Sequence, residues 1–547
     1  MLKVVGASWL QTRISTYILI AVALLGIGAI ILGEFGHVEQ DGTYSATVTW
    51  NQKGGYRIDF WGQGNDLKAV PLHAARAYYK TGIFESGWSY IEIETSSKYP
   101  DMVQAYAAGL LEGSLTWQLI HHHWHNTVKT ICEKKPVECQ KLTRYLRDNT
   151  AIIRERAELL ENTDPFWHMV RLFYTQLDGI EAGWKFAVRR SRQSVSMESE
   201  DFLWLALASD LPSFERAFNI SKIQMNSMLF VKSLPRENSA PLIAIGHNKA
   251  APYNQMLRLF KKYTFGYHIL PTPKTIATVP SRSVIMSSYP GALSSQDEFY
   301  LMVGENRELI VTGVTLSTAS ENQWNFLYPK DHVMLSVRVM AANRLATTGQ
   351  AWFETISHQN GGAAALQWIT FEPRTTTALL VEQLPSVTVA MNYSEEFTKT
   401  GFLSYTGASN FQNIREKVQT AEEDANFRKD RVARLQENVT TLDHFRELMR
   451  GCSQEEFKAD QNSNLNLLQE LTYRGDLEKI PIPFGIIDTK ILAVDIDGIE
   501  TFEGTSGPVA SESRKPFKWS ESFPNMSHIG HPDVFDFDSV TPLWVWI

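Results

Sequence analysis

Cysteine is scarce: three residues in 547, at Cys132, Cys139 and Cys452. So few exclude a scaffold built on disulfides, and they leave one thiol odd. An excess of positive charge is missing as well. The 52 Lys+Arg are outnumbered by 60 Asp+Glu, giving a net charge of −8. Without a long basic block, that balance argues against a nucleic-acid partner. The familiar catalytic signatures are absent too: there is no H-E-x-x-H, Walker lysine loop, G-x-S-x-G elbow or G-x-G-x-x-G. Neither a repeat of solenoid length nor a low-complexity tract interrupts the chain.

What is present is globular composition, with 44% apolar and 20% charged residues, enough for a large core. The 15 Trp suit extensive packed surfaces or an apolar substrate cleft. Length alone suggests three or four domains at about 150 residues each. Strand-like and helix-like segments interleave without a linker, however, which favours one large mixed domain over residues 34–547.

Residues 1–33 read as a targeting segment. Lys3 and Arg13 precede an uncharged stretch from Ile14 to Gly33, a basic flank followed by an apolar run. Twenty such residues are long for a cleaved signal peptide and sufficient for a single-pass type II signal-anchor. Either way the rest of the chain lies outside the cytosol, in a lysosome or secreted. Sequons at Asn219, Asn392, Asn438 and Asn525 agree with that compartment. Cys132 and Cys139, seven apart around Pro136, are compatible with a small disulfide loop or with two separate thiols. Cys452 is then left as a free thiol.

Patterning places a β-hairpin in 34–66 around Gly54-Gly55, and a half-buried strand at Gly87–Glu94. Helical blocks cover Met102–Asn162 and Pro165–Ala217. Strands follow from Met225 to Ile245 with a turn at Pro235, then a helix from Tyr253 to Tyr263. Strands are expected over Thr275–Thr315 and Leu366–Val389, with a helix at Ser336–Ile356 between them. The polar block Asn413–Arg450 has mixed charge at helical spacing and reads as a solvated helix face. In His121-His122-His123-Trp124-His125, His121 and His125 have ligand spacing, but no nearby Cys or carboxylate completes a metal set. A surface or core-edge helix is the better reading.

Ordered segments along the chain resemble the phospholipase B-like, or lamina ancestor, family. They include Gln104–Gly113, Trp124–Val128, Asp164-Pro165-Phe166-Trp167-His168 and Gln176-Leu177-Asp178-Gly179. Further on come Gly246-His247-Asn248, Met256-Leu257-Arg258, Ser287–Gly291 with Leu293–Asp297, and Val381–Pro385. Tyr473–Leu477, Phe484-Gly485, Asp488-Thr489-Lys490 and Pro532–Asp538 complete the match. The resemblance implies an α+β fold of the N-terminal nucleophile (Ntn) hydrolase type, a four-layer αββα sandwich. It also implies autocatalytic cleavage before an internal Cys that becomes the nucleophile.

The family pattern there resembles C-S-A-L-[IV]-K-x-L-P, and alignment on Lys232, Leu234 and Pro235 puts Ser227 at the Cys position. Cleavage between Asn226 and Ser227 would give 34–226 and 227–547. A serine with its own α-amine as base satisfies the same chemistry. His247 and Asn248 would shape the site. Other positions depart from the pattern. H-N-T-W becomes His247-Asn248-Lys249-Ala250, the Asn of Ser-Tyr-Asn becomes Thr406, and Tyr-Asn-Asn becomes Gly451-Cys452-Ser453. Losing one oxyanion donor costs on the order of 100–1000-fold in rate. Two readings follow: a hydrolase of lipid ester or amide bonds, acting on phospholipids or N-acyl lipids, or a degenerate relative that binds lipid or a partner. Neither needs a cofactor or a metal, and a homo-oligomer is compatible with both.

Overall fold

The computed structural model describes residues 16–24 and 42–546, except 62–65, 219, 221–226, 238, 272–275, 306, 318–327, 331, 363, 419–422, 452–470 and 512–513. Asn219, Asn226, Cys452 and most of the targeting segment therefore lie outside the described residues. The chain divides into Met1–Gly42 and Thr43–Ile547. Of the first unit, residues 16–24 are helical with exposed side chains. Among the described residues no helix is long and apolar enough to cross a membrane.

The second unit is α+β. Its strands begin with β1 (Thr43–Asn51), β2 (Gly55–Trp61), β3 (Ala75–Lys80) and β4 (Trp88–Thr95). After the long helices come β5 (Met228–Leu234), β6 (Leu242–Pro252), β7 (Arg258–Thr264), β8 (Ser283–Ser288), β9 (Phe299–Gly304) and β10 (Arg307–Thr315). Then come β11 (Leu366–Glu372), β12 (Thr377–Leu384), β13 (Val387–Asn392), β14 (Phe402–Tyr405), β15 (Phe484–Val494) and β16 (Ile499–Ser506), and the short strands Phe517–Lys518 and Val534–Phe535 pair with each other. Eleven strands form one sheet in the order β13-β12-β11-β10-β9-β8-β7-β4-β3-β1-β2. It is antiparallel except where β4 meets β7. Five form a second, antiparallel sheet, β14-β5-β6-β15-β16.

Alternation along the strands places the two sheets face to face. On β5, Leu229 and Val231 join the main core, while Met228 and Phe230 join a separate cluster with Phe445 and Met449. This is the period-two signature of a strand buried on both sides. Between the sheets, Phe502 packs on Phe260 and Phe299 with ring centroids 5.2 and 5.8 Å apart. Helices cover the outer faces. On the large sheet α1 (Asp101–Leu115) packs on β1, β3 and β4. The helices α2 (Trp117–Trp124), α3 (Pro136–Leu160), α4 (Pro165–Ser191) and α5 (Leu335–Leu345) stack on it or on one another, while α6 (Gly349–Ser357) packs on β11, β12 and β13. On the small sheet, α7 (Glu423–Leu435) lies on β14 and α8 (Leu442–Met449) on β6.

Several of the quoted segments have a structural cause. Asp164 caps α4, accepting from the Phe166 amide at 2.9 Å, with Pro165 in the first helical turn. Gly109 and Gly113 on α1 face Gly179 and Gly183 on α4, so that each helix presses against the other's backbone. A Cβ at Gly109 would meet the Gln176 carbonyl well inside contact distance. Alanine is the better helix former by about 1 kcal/mol. Gly109→Ala is nevertheless expected to destabilise the protein by about 1–3 kcal/mol through overpacking, read as a lower denaturant midpoint.

Three expectations are corrected. Tyr253–Tyr263 is a short 3-10 turn, Tyr253–Gln255, followed by strand β7. The strand carries Arg258, Lys261 and Lys262. Each is paired with a carboxylate, of Asp297 and Asp488, of Glu112 and of Glu92 respectively. Gly87–Glu94 is almost wholly buried rather than half-buried, because β4 lies inside the large sheet between β3 and β7. The helix expected over Ser336–Ile356 is two helices, divided at residues 346–348 where Thr348 caps α6.

Candidate active site

Ser227 immediately precedes β5, and it is buried. Its Oγ accepts a hydrogen bond from the Ala250 amide at 3.2 Å. Odd-numbered residues of β5 and β6 face the large sheet, which gathers Ser227, His247 and Lys249 on the inner face of the sandwich. The His247 Nε2 lies 2.9 Å from the Gly313 carbonyl on β10. A carbonyl can only accept, so Nε2 carries the proton and Nδ1 is bare. Burial, reinforced by the Lys490 cation, holds His247 well below the ordinary histidine range. It is a neutral tie between the sheets.

Asn248 faces the other way. Its Nδ2 donates to the Met449 carbonyl at 2.9 Å and its Oδ1 accepts from the Thr489 hydroxyl at 2.8 Å, fastening β6 to the end of α8. Thr406 follows β14 and is buried. Its hydroxyl donates to the Ala425 carbonyl at 2.6 Å, and its carbonyl accepts from Arg428 at 2.9 Å. Ser227 and His247 therefore share the inner face, whereas Asn248 and Thr406 serve the interface with α7 and α8.

Ser227 opens onto a tight cavity of about 20 Å³, whose walls include Lys249, Gln296, Asp297, Glu298 and Gly313. That is room for about one water. The loop Gln296-Asp297-Glu298 comes from the large sheet, between β8 and β9. Gln296 and Glu298 both have φ of 59°, left-handed values that are uncommon for residues other than glycine. They turn the loop so that the Gln296 carbonyl accepts from Lys249 Nζ at 2.7 Å.

Behind the cavity lies a fully buried ion cluster. Asp297 is paired with Arg258 and, at 3.3 Å, with Lys490. It also accepts from the Ser287 and Tyr289 hydroxyls at 2.8 and 2.9 Å. Asp488 pairs with Arg258 at 2.7 Å and with Lys490. A register break between Ile486 and Asp488 adds a residue to β15 beside the cluster, as bulges do next to functional sites. Lys249 stands 3.9 Å from Asp297. Arg258, Lys490 and Lys249 thus face Asp297 and Asp488, and Glu298 is a third carboxyl on the Ser227 side beside Lys249. Sequence reasoning assigned none of these residues a role, although Arg258, Asp297, Asp488 and Lys490 all fall in quoted segments.

Glu298 also lines the cavity. Burial raises its carboxyl from 4.5 to about 7, opposed by a hydrogen bond from Ser209. The folded protein therefore holds a proton that the unfolded chain releases above about pH 4.5. This contribution to stability is complete below that pH and is lost as the pH rises through about 7. Glu298→Gln, which cannot ionise, is expected to remove a decline worth at most about 3 kcal/mol between those limits. Denaturant midpoints of the two proteins across that window would measure it.

The His121–His125 run lies on α2 and in the π-helical turn that follows it. His123 is buried, while burial and the neighbouring histidines lower His121 and His122 to about 4. No group of three or more His, Cys, Asp or Glu among the described residues could hold a metal ion. Cys132 and Cys139 are joined by a disulfide, with Cα atoms 5.5 Å apart. Asn392, Asn438 and Asn525 are exposed.

The Phospholipase B family pattern matches residues 75–542, which take in the site and every strand of the two sheets except β1 and β2. The chain belongs to the phospholipase B family. Relatives include a phospholipase B-like lamina ancestor of Drosophila melanogaster, 31% identical over all of both chains. A phospholipase B-like 2 of Homo sapiens is 30% identical over 87% of this chain and 86% of its own. Phospholipase B-like protein B of Dictyostelium discoideum is 27% identical over the same shares.

Proposed function

We propose that the protein is a lipid acyl hydrolase of the Ntn type, with Ser227 as its nucleophile after cleavage at Asn226–Ser227. The observation that carries this reading is the position of Ser227. It is a buried serine at the start of an inner strand, beside a cavity lined by Lys249. The helix–sheet–sheet–helix order supports the Ntn assignment.

In this mechanism the freed α-amine of Ser227 accepts the hydroxyl proton as Oγ attacks the acyl carbonyl carbon. Lys249, on the same inner face, stabilises the oxyanion in the low-dielectric gap between the sheets, the role that an amide donor fills in the family pattern. The α-ammonium then protonates the leaving oxygen or nitrogen, leaving an acyl-Ser227 ester that water hydrolyses. His247 positions β6 against β10 and takes no proton. The substrate is a phospholipid or an N-acyl lipid.

Lys249→Met is expected to lower kcat by about 100-fold while moving KM much less, measured as acyl release from phosphatidylcholine and from an N-acyl ethanolamine. An unchanged kcat would remove Lys249 from the mechanism. The disulfide and the exposed sequons support an extracytosolic protein, lysosomal or secreted. Digestion of the native protein with an N-glycosidase is expected to lower its mass.

A further inference from the structure

The cavity at Ser227 does not end there. A second cavity of about 80 Å³ shares the walls Pro212, Lys249 and Gln296 with it. The remaining walls are largely apolar, among them Val128, Ile131, Trp204, Leu205 and Leu211. A third cavity of about 360 Å³ shares Val128 and Trp204 with the second and is open to solvent beside the Cys132–Cys139 loop. Shared walls set the three side by side between the nucleophile and the surface, polar at the inner end and apolar in the middle.

Two details support a built passage. Val128, the wall common to the middle and outer cavities, lies in the π-helical turn His125–Lys129. Such turns insert a residue into a helix and occur often at functional sites. The disulfide pins the segment that follows, at the mouth. Two ionisable groups in the middle cavity, His123 and Glu215, are kept uncharged in mildly acid solution. His123, stacked on Tyr289 at 5.4 Å, is lowered by burial to about 3, and Glu215 is raised by burial to about 7. Lys249, 3.9 Å from Asp297, lies at the inner end, and Lys129, Glu133 and Asp201 lie at the mouth.

We propose that this passage holds the hydrocarbon chain of the acyl substrate, its carbonyl beside Ser227 and its methyl end directed towards the disulfide loop. The proposal rests on Ser227 being the nucleophile and adds the substrate's class, a single long unbranched acyl chain. A narrow middle section walled by Trp204 and Leu205 suits one chain, and each methylene taken from water is worth about a fourfold gain in kcat/KM.

The test uses the full chain and two readouts. The first is quenching of tryptophan fluorescence by palmitic acid brominated at mid-chain. Quenching is expected in the native protein, reduced in Trp204→Phe, and shifted to about tenfold higher ligand concentration in Ala208→Phe, whose ring would enter the middle cavity. The second is hydrolysis of esters from acetyl to palmitoyl. The native ratio of long- to short-chain kcat/KM is expected to fall about tenfold or more in Ala208→Phe. Should that variant not fold, the rise in kcat/KM with chain length in the native protein and the Trp204→Phe difference carry the test.

Equal turnover of all chain lengths, with quenching unaltered in Trp204→Phe, would overturn the passage while leaving the hydrolase in place. Quenching that depends on Trp204 without turnover of any ester would support the passage as a chain-binding site and overturn the hydrolase.

Discussion

Ser227→Ala is expected to leave the chain in one piece and to lower acyl release by about a thousandfold or more, because one hydroxyl serves both steps. In the uncut chain the Ser227 nitrogen is an amide and cannot act as a base. Loss of the cut therefore removes the base together with the nucleophile. Ser227→Cys supplies the group of the family pattern and is expected to restore both the cut and turnover, a rescue that a merely structural serine would not show. The fold should tolerate either change, since among the described residues Ser227 Oγ has one hydrogen bond, from Ala250. Acyl release by Ser227→Ala within about tenfold of native would place the nucleophile elsewhere.

Asp297→Ala is expected to destabilise the protein by about 3–5 kcal/mol, the range for removing one partner of a buried ion pair. Arg258 would keep Asp488, but its guanidinium, held 3.9 Å over the Tyr289 ring, would lose the carboxylate that orients it. Lys490 and Lys249 would lose a counter-charge, and the Ser287 and Tyr289 hydroxyls an acceptor. Asp297→Asn should be less damaging, because it keeps acceptor capacity without charge. The surrounding cations, Arg258 foremost, hold the Asp297 carboxyl well below its ordinary range despite burial. Its contribution is therefore present above the unfolded value near 3.8 and is lost only as the pH falls further, through the folded value. Denaturant midpoints at mildly acid and neutral pH should show a similar deficit for the variant at both.

Local pattern carried much of the fold. The Gly54-Gly55 turn between β1 and β2, the strand before Pro235, and the helices opened by Pro136 and Pro165 are all set by neighbouring residues. Pattern misled over Tyr253–Tyr263, expected to be a helix, where tertiary pairing holds strand β7. Arg258 and Lys261 are fully buried, and the carboxylates that permit this, Asp297 and Glu112, lie 39 and 149 residues away in sequence. No window of periodicity spans such distances.

The site was legible in a similarly uneven way. Ser227 is found by aligning a short strand pattern, whereas Lys249 looks like a lost family residue until alternation along β6 puts it on the same face. Asn248, the immediate neighbour of His247, points to α8 for the same reason. The glycines at 109 and 179 sit in segments that resemble the family, and their cause is a helix crossing rather than chemistry.

The central claim is that Ser227 becomes an N-terminal residue. Intact-mass analysis and N-terminal sequencing of the purified protein, before and after incubation at acid pH, address it most directly. The account predicts a fragment beginning Ser227-Met228-Leu229 in the native protein and its absence in Ser227→Ala. A native chain that stays whole after acid incubation, yet releases acyl groups at the same rate, would contradict it.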